Sequence, residues 1–328
     1  MIKKFIFAVI TYNHESYIIE HMESIKFLIL TYGQEMSFKF VLADDGSKDR
    51  TVECLKTWLD RNNNLFDEVV IIADGINRGT CINYTNLWSH IDSSLFKITA
   101  GDDVYSYVNL FEHAENLDKY DYISGMPLLL IDGKIVESKS TIFHTIATKH
   151  IFKNKPFRSR LQEISVMNTP NLLYSVKFIH NKQIENFIRS YKVTEDLPMM
   201  VKVTEEYKDV SFHQLDDILV YYRRTSGSTY LIRENDFNSD KVIIFNHMIK
   251  NETGFFKRLL LKNRVQCYQD KSKWFKKFCN LNYYFYFLRL LITSPYVLWD
   301  FLRFNSNLHQ HIQHYKKIRE LAAQFKTF

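Results

Sequence analysis

Two pairs of aspartates, each at the end of an apolar segment, are the residues of this chain best suited to chemistry. Asp44 and Asp45 follow FKFVLA (38–43), and Asp102 and Asp103 follow LFKITAG (95–101). Apolar, β-prone runs that end in turn residues are typical of buried parallel strands. Ligands of open α/β sheets bind beyond the carboxyl ends of the strands, so all four carboxylates should meet at one sheet edge. Like charges at such short distances repel each other unless a cation or a hydrogen-bond donor offsets them. The pattern therefore predicts a site for a divalent metal and a nucleotide.

A purely structural interpretation of the aspartates stays open. Asp-Gly and Asp-Asp sequences also form turns. Asp44 could cap the helix that follows it, and Asp103 could cap a helix over residues 106–117. Two such pairs at two strand ends favour the functional interpretation.

The surrounding pattern predicts the elements that must hold these aspartates. Apolar runs predict strands at 4–11, 38–43, 68–73 and 95–100, and helical patterns predict helices over 15–31, after Ser47 as N-cap, and over 80–89. This alternation predicts a doubly wound, mostly parallel α/β sheet. Further on, the sequence predicts strands at 120–125, 128–136, 201–207 and 216–224, a loop region over 141–170, and helices from about residue 240.

Length and composition limit the class of protein. The 328 residues are 46% hydrophobic, which suits one large α/β domain with an appendage, or two domains. The four cysteines form no CxxC pair, so neither a zinc site nor a redox motif is indicated, and they fit a reducing cytoplasm. The N-terminal MIKKFIFAVITYN is expected to be the first strand rather than a signal peptide.

The C-terminal quarter differs from the rest in charge. Residues 255–328 contain 14 Lys or Arg and 3 Asp or Glu, whereas the remainder of the chain carries a net charge of −5. Arg289 and Pro295 interrupt the apolar stretch 281–299, so a membrane-spanning helix is not expected. Tyr and Trp flanked by basic residues favour a location at an anionic membrane surface. Packing on the catalytic domain or on a second subunit is the alternative, and the apolar character argues against nucleic acid.

Taken together, the motifs resemble those of the family 2 glycosyltransferases, which have the GT-A fold and invert the sugar's anomeric configuration. The resemblance covers about residues 4–226. It rests on AVITYNHESY, VLADDGSKDRT, Asn77-Arg78-Gly79, AGDDVY, Glu195-Asp196 and YYRRTSGST (221–229). It implies a Rossmann-like, mostly parallel sheet flanked by helices in a catalytic domain over 1–230. Residues 231–328 would form a helical extension that binds membrane or another subunit.

The resemblance also implies a donor site. The strand-one end, with Thr11, Tyr12, Asn13 and Glu15, would face the nucleotide. Asp44, beside Asp45, matches the aspartate that hydrogen-bonds the base, because a carboxylate accepts an N–H from a pyrimidine edge. The implied phosphate contacts are Arg78, for which the family pattern also implies a structural turn role, and Arg223 with Arg224, Ser226 and Ser228 in a closing loop.

The same resemblance implies a metal ligand and a catalytic base. Asp102 matches the last aspartate of the DxD motif, which contacts Mn²⁺ or Mg²⁺, while Ala100 stands at the first acidic position. Asp103 would contact the metal or the sugar, and Thr225 stands where many relatives carry a metal-binding histidine. Asp196 matches the catalytic base, although Glu195 and Asp196 could also simply open a helix.

The predicted function is therefore metal-dependent, inverting transfer of a sugar from a nucleotide-sugar to a glycan acceptor, and two alternatives are a nucleotidyltransferase and a non-catalytic binding protein. The acceptor would be lipid-linked, in bacterial O-antigen or capsule synthesis, with the enzyme peripheral to the inner face of the plasma membrane. A nucleotidyltransferase would need a glycine-rich basic loop after strand one, which TYNHESY is not. A non-catalytic nucleotide-sugar-binding protein would explain Ala100, but Asp102, Asp103 and Asp196 argue against it.

Overall fold

A four-stranded, entirely parallel sheet forms the first third of the chain and positions the aspartates. The computed structural model describes residues 2–225, 234–269 and 272–326. The sheet has the order β3-β2-β1-β4, which confirms the predicted α/β fold. The central strand β1 pairs Thr11 with Asp44 on one side and Ile10 with Ala100 on the other. The carboxyl ends of β1, β2 and β4 therefore lie side by side.

The described strands and helices alternate through the first 130 residues, and the C-terminal part is helical. The strands are β1 (Lys3–Thr11), β2 (Met36–Asp44), β3 (Glu68–Ile72), β4 (Leu95–Ala100), β5 (Val104–Tyr105), β6 (Tyr122–Ser124), β7 (Leu128–Ile131), β8 (Lys134–Val136), β9 (Leu172–Tyr174), β10 (Phe212–Gln214) and β11 (Val220–Arg224). The helices are α1 (Ile18–Tyr32), α2 (Thr51–Arg61), α3 (Thr80–Asn86), α4 (Leu110–Glu115), α5 (Lys139–Ile151), α6 (Phe157–Gln162), α7 (Lys182–Ile188), α8 (Asp196–Glu206), α9 (Glu234–Lys250), α10 (Phe255–Gln269), α11 (Lys273–Phe278), α12 (Leu281–Arg303) and α13 (Leu308–Lys326).

The period-2 pattern of β1 explains how the sheet is covered on both faces. Phe5 and Phe7 point into one core cluster with the buried residues of α1 and α2. Ile6 and Ala8 point into another, with residues of α3, α7 and α8. Because both faces of such a parallel strand are buried, its sequence is a continuous apolar run.

Two smaller sheets extend the fold beside the parallel one. One has the order β10-β6-β9, and the other has the order β5-β11-β7-β8. In the second sheet, β11 runs antiparallel to β5 and parallel to β7. This pairing brings Arg223, near the end of β11, against the segment that follows β4.

Three expectations about secondary structure are wrong. Residues 141–170 are not a loop region, because α5 and α6 occupy much of this stretch, and Ile142 and Ile146 of α5 are buried with residues of α12 and α13. Residues 201–207 lie in α8 instead of a strand, since Met199, Met200 and Val203 form a buried helical face. Ser47 does not cap α2, which begins at Thr51.

The C-terminal helices return to the body of the molecule. Helix α12 packs on α5, and α13 packs on α1. Tyr315 and Ile318 of α13 are buried beside Tyr221 of β11. Among the helices that the structure describes, none combines the length and apolarity needed to cross a membrane.

Candidate active site

A cavity of about 460 Å³ opens beyond the carboxyl ends of β1 and β4. It is bounded by the loop after β1, the turn after β3, the start of α8 and the end of β11. Apolar and polar residues both line it, and the residues with polar side chains include Thr11, Tyr12, His14, Asp45, Asn77, Lys97, Thr99, Asp102, Asp103, Glu195, Asp196 and Arg223. This is the position at which open α/β sheets bind their ligands.

Asp44 is held within the protein and does not line this cavity. Its buried carboxylate accepts hydrogen bonds from Thr11 Oγ1 at 3.0 Å and from the Ser47 backbone N–H at 2.8 Å. These bonds tie the end of β1 to the loop after β2. Ser47, which was predicted to cap α2, is instead part of this connection.

Asp45 does line the cavity, and it also organises the turn after β3. Its carboxylate accepts the backbone N–H of Arg78 at 2.6 Å and that of Gly79 at 3.1 Å. Gly79 has a φ of 90°, a conformation that suits glycine. The Arg78 guanidinium pairs with Asp74 at 2.6 Å and is not part of the cavity wall.

The loop after β1 contributes Tyr12 and His14, whereas Asn13 and Glu15 face the neighbouring loop. Tyr12 is 46% exposed at the cavity mouth. Asn13 adopts a φ of 55°, and its Oδ1 accepts the Lys48 backbone N–H at 2.8 Å. Glu15 accepts hydrogen bonds from the Arg50 backbone and side chain, which lower the pKa of the Glu15 carboxyl.

Asp102 and Asp103 lie in different environments at the end of β4. Asp102 faces the cavity, and its Oδ1 lies 3.9 Å from His14 Nε2. Asp103 is buried and accepts the Arg223 backbone N–H at 2.8 Å. Burial and the charge of Asp102 raise the pKa of Asp103 well above its usual value. Asp103 does not cap the following helix, because Asn109 caps α4.

Arg223 fixes this acidic segment. Its Nε donates to the Asp102 carbonyl oxygen at 2.5 Å, and its Nη2 donates to Glu20 Oε2 at 2.6 Å. The guanidinium also lies over the Tyr17 ring, 4.5 Å from the centroid. Arg223 was predicted to contact phosphate, but its Nε and Nη2 groups already donate hydrogen bonds within the protein. The predicted loop residues Ser226 and Ser228 lie outside the described residues.

Asp196 begins α8 and lines the cavity beside Glu195. Its Oδ1 accepts the Leu197 backbone N–H at 2.6 Å, as expected for an acid in a first helical turn. Burial, and then the neighbouring Asp196, raise the pKa of Glu195 to about 8. Both functions foreseen for this pair, opening the helix and presenting a carboxylate, are geometrically compatible.

Sequence reasoning missed His14 and Lys97. His14 Nδ1 is buried and has no hydrogen-bond partner among residues 2–225, 234–269 and 272–326. Lys97 is buried, donates to the carbonyl oxygens of Ile98 and Leu172 at 2.8 and 3.0 Å, and has its pKa lowered by burial to about 7. A lysine in the middle of an otherwise apolar strand was the available signal, because lone buried charges are rare.

The donor set fits a divalent cation only if the ligand supplies most of the coordination. Within the described part of the chain, no three His, Cys, Asp or Glu side chains converge as a metal-binding group. Asp102 nevertheless offers a partly exposed carboxylate with an imidazole beside it. Mg²⁺ commonly binds through one or two carboxylates together with substrate phosphates and water.

Comparison with known proteins agrees with this architecture. The sequence model of glycosyl transferase family 2 matches residues 7–181, more than half of the chain. The chain therefore belongs to glycosyl transferase family 2. No curated protein sequence matches it significantly.

Solved structures of glycosyltransferases share the fold. The structure of S. aureus TarS residues 1–349 with UDP-GlcNAc matches with a TM-score of 0.56 and 16% identity, covering 98% of this chain and 92% of that one. The mannosyltransferase PcManGT from Pyrobaculum calidifontis, solved with GDP-Man and Mn²⁺, matches with a TM-score of 0.54 and 10% identity, covering 98% and 86%. At these identities the likeness shows the GT-A fold.

Proposed function

We propose that this family 2 glycosyltransferase moves a sugar from a nucleotide-sugar to a glycan acceptor and inverts the anomeric configuration. The observation that carries the proposal is that Asp45, Asp102 and Asp196, from three separate segments, line one cavity. The fold relatives bound to UDP-GlcNAc and GDP-Man support a nucleotide-sugar as the class of donor. A cavity at a sheet edge with both apolar and polar lining residues suits a ligand that is part nucleotide and part sugar.

Some residues of the proposed donor site would contact the nucleotide-sugar, and others hold the loops of the site in place. Tyr12, which is exposed, and Asp45, which is buried but lines the cavity, are the proposed contacts to the nucleoside. Thr11, Asn13, Glu15, Asp44 and Arg78 shape the two loops through the hydrogen bonds described above. Arg223 holds Asp102 and Asp103 in place at the diphosphate end.

Asp196 is the proposed base. The acceptor hydroxyl oxygen forms a bond to the anomeric carbon as the bond from that carbon to the diphosphate oxygen breaks, and the hydroxyl proton passes to Asp196. Burial and the neighbouring Asp196 raise the pKa of Glu195 to about 8, which favours its protonated form. Two adjacent carboxyls in different environments are a common way to separate such functions.

A divalent cation is proposed at Asp102. When bound, such an ion offsets the negative charge that develops on the departing nucleoside diphosphate. Asp102 supplies the anionic oxygen ligand, and its main chain is fixed by Arg223. PcManGT, one of the fold relatives, was solved with Mn²⁺.

The biological setting is proposed from the whole chain. The catalytic unit would be residues 1–230, and the helical region 231–328 would bring it to the inner face of the plasma membrane or to a second subunit. The acceptor would then be a lipid-linked glycan of a bacterial surface polysaccharide. The basic, aromatic C-terminal sequence supports this assignment.

The test is release of nucleoside diphosphate from a panel of UDP- and GDP-sugars in the presence of Mn²⁺ or Mg²⁺. The wild-type chain should hydrolyse or transfer from at least one donor, and Asp196→Asn should bind that donor without turning it over. Tight binding with no turnover by the wild type on any donor and acceptor tried would favour a non-catalytic binding protein.

A further inference from the structure

Helix α12 has one face anchored on the protein and the other exposed. On the anchored face, Tyr286 and Val297 are buried. The Tyr286 hydroxyl lies 2.7 Å from His144 Nδ1, and Asp300 Oδ2 lies 2.8 Å from His150 Nε2, both on α5. The helix is therefore fixed in orientation, and its opposite face is presented outward.

That opposite face is apolar along its whole length. Large apolar side chains recur at helical spacing on it: Tyr284, Leu288, Leu291, Ile292, Trp299 and Leu302. Leu291, Ile292 and Leu302 are 71%, 73% and 81% exposed. Single exposed apolar residues are ordinary, but a continuous exposed apolar stripe marks an interaction surface. We call these six residues the apolar face.

Neighbouring helices widen the apolar face. The rings of Phe256 in α10 and Phe285 in α12 lie 4.9 Å apart. The Tyr284 hydroxyl donates to the Phe278 carbonyl oxygen of α11 at 2.8 Å, and the Trp274 and Phe278 rings lie 5.7 Å apart. The exposed aromatic surface thus runs over three helices rather than one.

Basic side chains border this surface. The Arg303 guanidinium lies 5.0 Å from the centroid of the Trp299 ring. Lys257 and Arg258 of α10 are exposed and follow the exposed Phe256 in the chain, whereas Arg289 of α12 is paired with Glu163. Residues 255–328 as a whole contain 14 basic and 3 acidic residues.

We propose that the apolar face of α12, with the aromatic side chains of α10 and α11, lies flat on an anionic lipid surface. Aromatic and aliphatic side chains enter the headgroup boundary, while the bordering lysines and arginines meet lipid phosphates. A symmetric contact with a second copy would set two strongly basic regions against each other. The charge therefore favours lipid over self-association. The proposal rests on the membrane setting proposed above and names its surface, but it does not depend on the reaction that the enzyme catalyses.

The test is co-sedimentation of the full chain with vesicles of phosphatidylcholine, with and without phosphatidylglycerol. The wild type should sediment with the anionic vesicles, and added salt should weaken this. The double variant Leu291→Glu/Ile292→Glu should bind at least about tenfold more weakly, because each buried aliphatic side chain contributes a tenfold or larger partition factor. Arg303→Gln should weaken binding about fivefold.

Leu30→Glu in α1 is the matched control. Leu30 is 64% exposed on a helix elsewhere in the molecule, so this variant should bind like the wild type. If the double variant does not fold, Leu302→Gln serves instead, since Leu302 is the most exposed residue of the apolar face. Equal binding by the face variants and the control would overturn the proposal. Failure of the wild type to bind anionic vesicles would also overturn it. A wild-type dimer that becomes a monomer in the double variant would overturn it as well.

Discussion

Replacing Glu20 by Gln should destabilise the protein and loosen its donor site together. Glu20 in α1 accepts from Arg223 Nη2 at 2.6 Å and from the Tyr315 hydroxyl of α13 at 2.9 Å. Arg223 is 5% exposed, and it in turn holds the Asp102 carbonyl and the Asp103 carboxylate. The substitution leaves the shape of residue 20 almost unchanged but leaves a buried guanidinium without its anionic partner.

The expected cost follows from that burial. Breaking a buried ion pair by removing one partner typically costs about 3 kcal/mol. Unfolding entropy of about 2 cal/mol/K per residue gives roughly 0.7 kcal/mol/K for a chain of this length. The melting temperature should therefore fall by about 4 °C. The dissociation constant for a nucleotide-sugar should rise as well, because Asp102 and Asp103 lose their fixed position.

Thermal denaturation and donor titration of the same samples measure both effects. Glu53→Gln is the matched control, since Glu53 is an exposed residue of α2, and surface changes usually stay within about 0.5 kcal/mol. Tyr315→Phe should have a smaller effect, about 1 kcal/mol, because it removes one hydrogen bond and no charge. A Glu20→Gln variant that melts and binds donor like Glu53→Gln would refute the reasoning.

Three further predictions concern the reacting groups. Asp196→Asn should lower transfer by about 10²–10⁴-fold while donor affinity stays unchanged, as measured by product formation and titration; a residual rate above about a tenth would assign the base elsewhere. Asp102→Asn should lower turnover at least about 100-fold, and chelator should abolish wild-type activity until Mn²⁺ or Mg²⁺ is restored; full activity in chelator would exclude the cation. Because folded Glu195 keeps its proton to about pH 8 and the unfolded carboxyl loses it near 4.5, stability should fall as pH rises through this window, by at most about 1.4 kcal/mol per pH unit. Melting curves of Glu195→Gln should show a flatter pH dependence, and an unchanged slope would contradict the assignment.

The sheet was predictable because its signal is local. Each of the four parallel strands is an apolar run bounded by turn residues, and the position of Asp102 beyond β4 follows from chain order alone. The alternative that Glu195 and Asp196 open a helix, based on the preference for acids in a first turn, is confirmed by α8, although residues 201–207 were assigned to a strand. There the β-branched residues of VKVTEEY concealed a helical face formed with Met199 and Met200.

Side-chain contacts between segments far apart in the chain could not be predicted from the sequence. Asp44 and Asp45 are adjacent, yet one is bound by Thr11 and Ser47 and the other faces the cavity. The connection from Tyr315 through Glu20 to Arg223 joins the last helix to the donor site over almost the whole chain. Such contacts depend on packing geometry, which periodicity does not encode.

A crystal structure with the donor that supports turnover tests the central claim most directly. The account predicts the nucleoside beside Tyr12 and Asp45, the diphosphate beside Asp102, and the sugar's anomeric carbon on the side of Asp196. Density for the nucleotide-sugar elsewhere, or a sugar directed away from Asp196, would contradict the proposed site and mechanism.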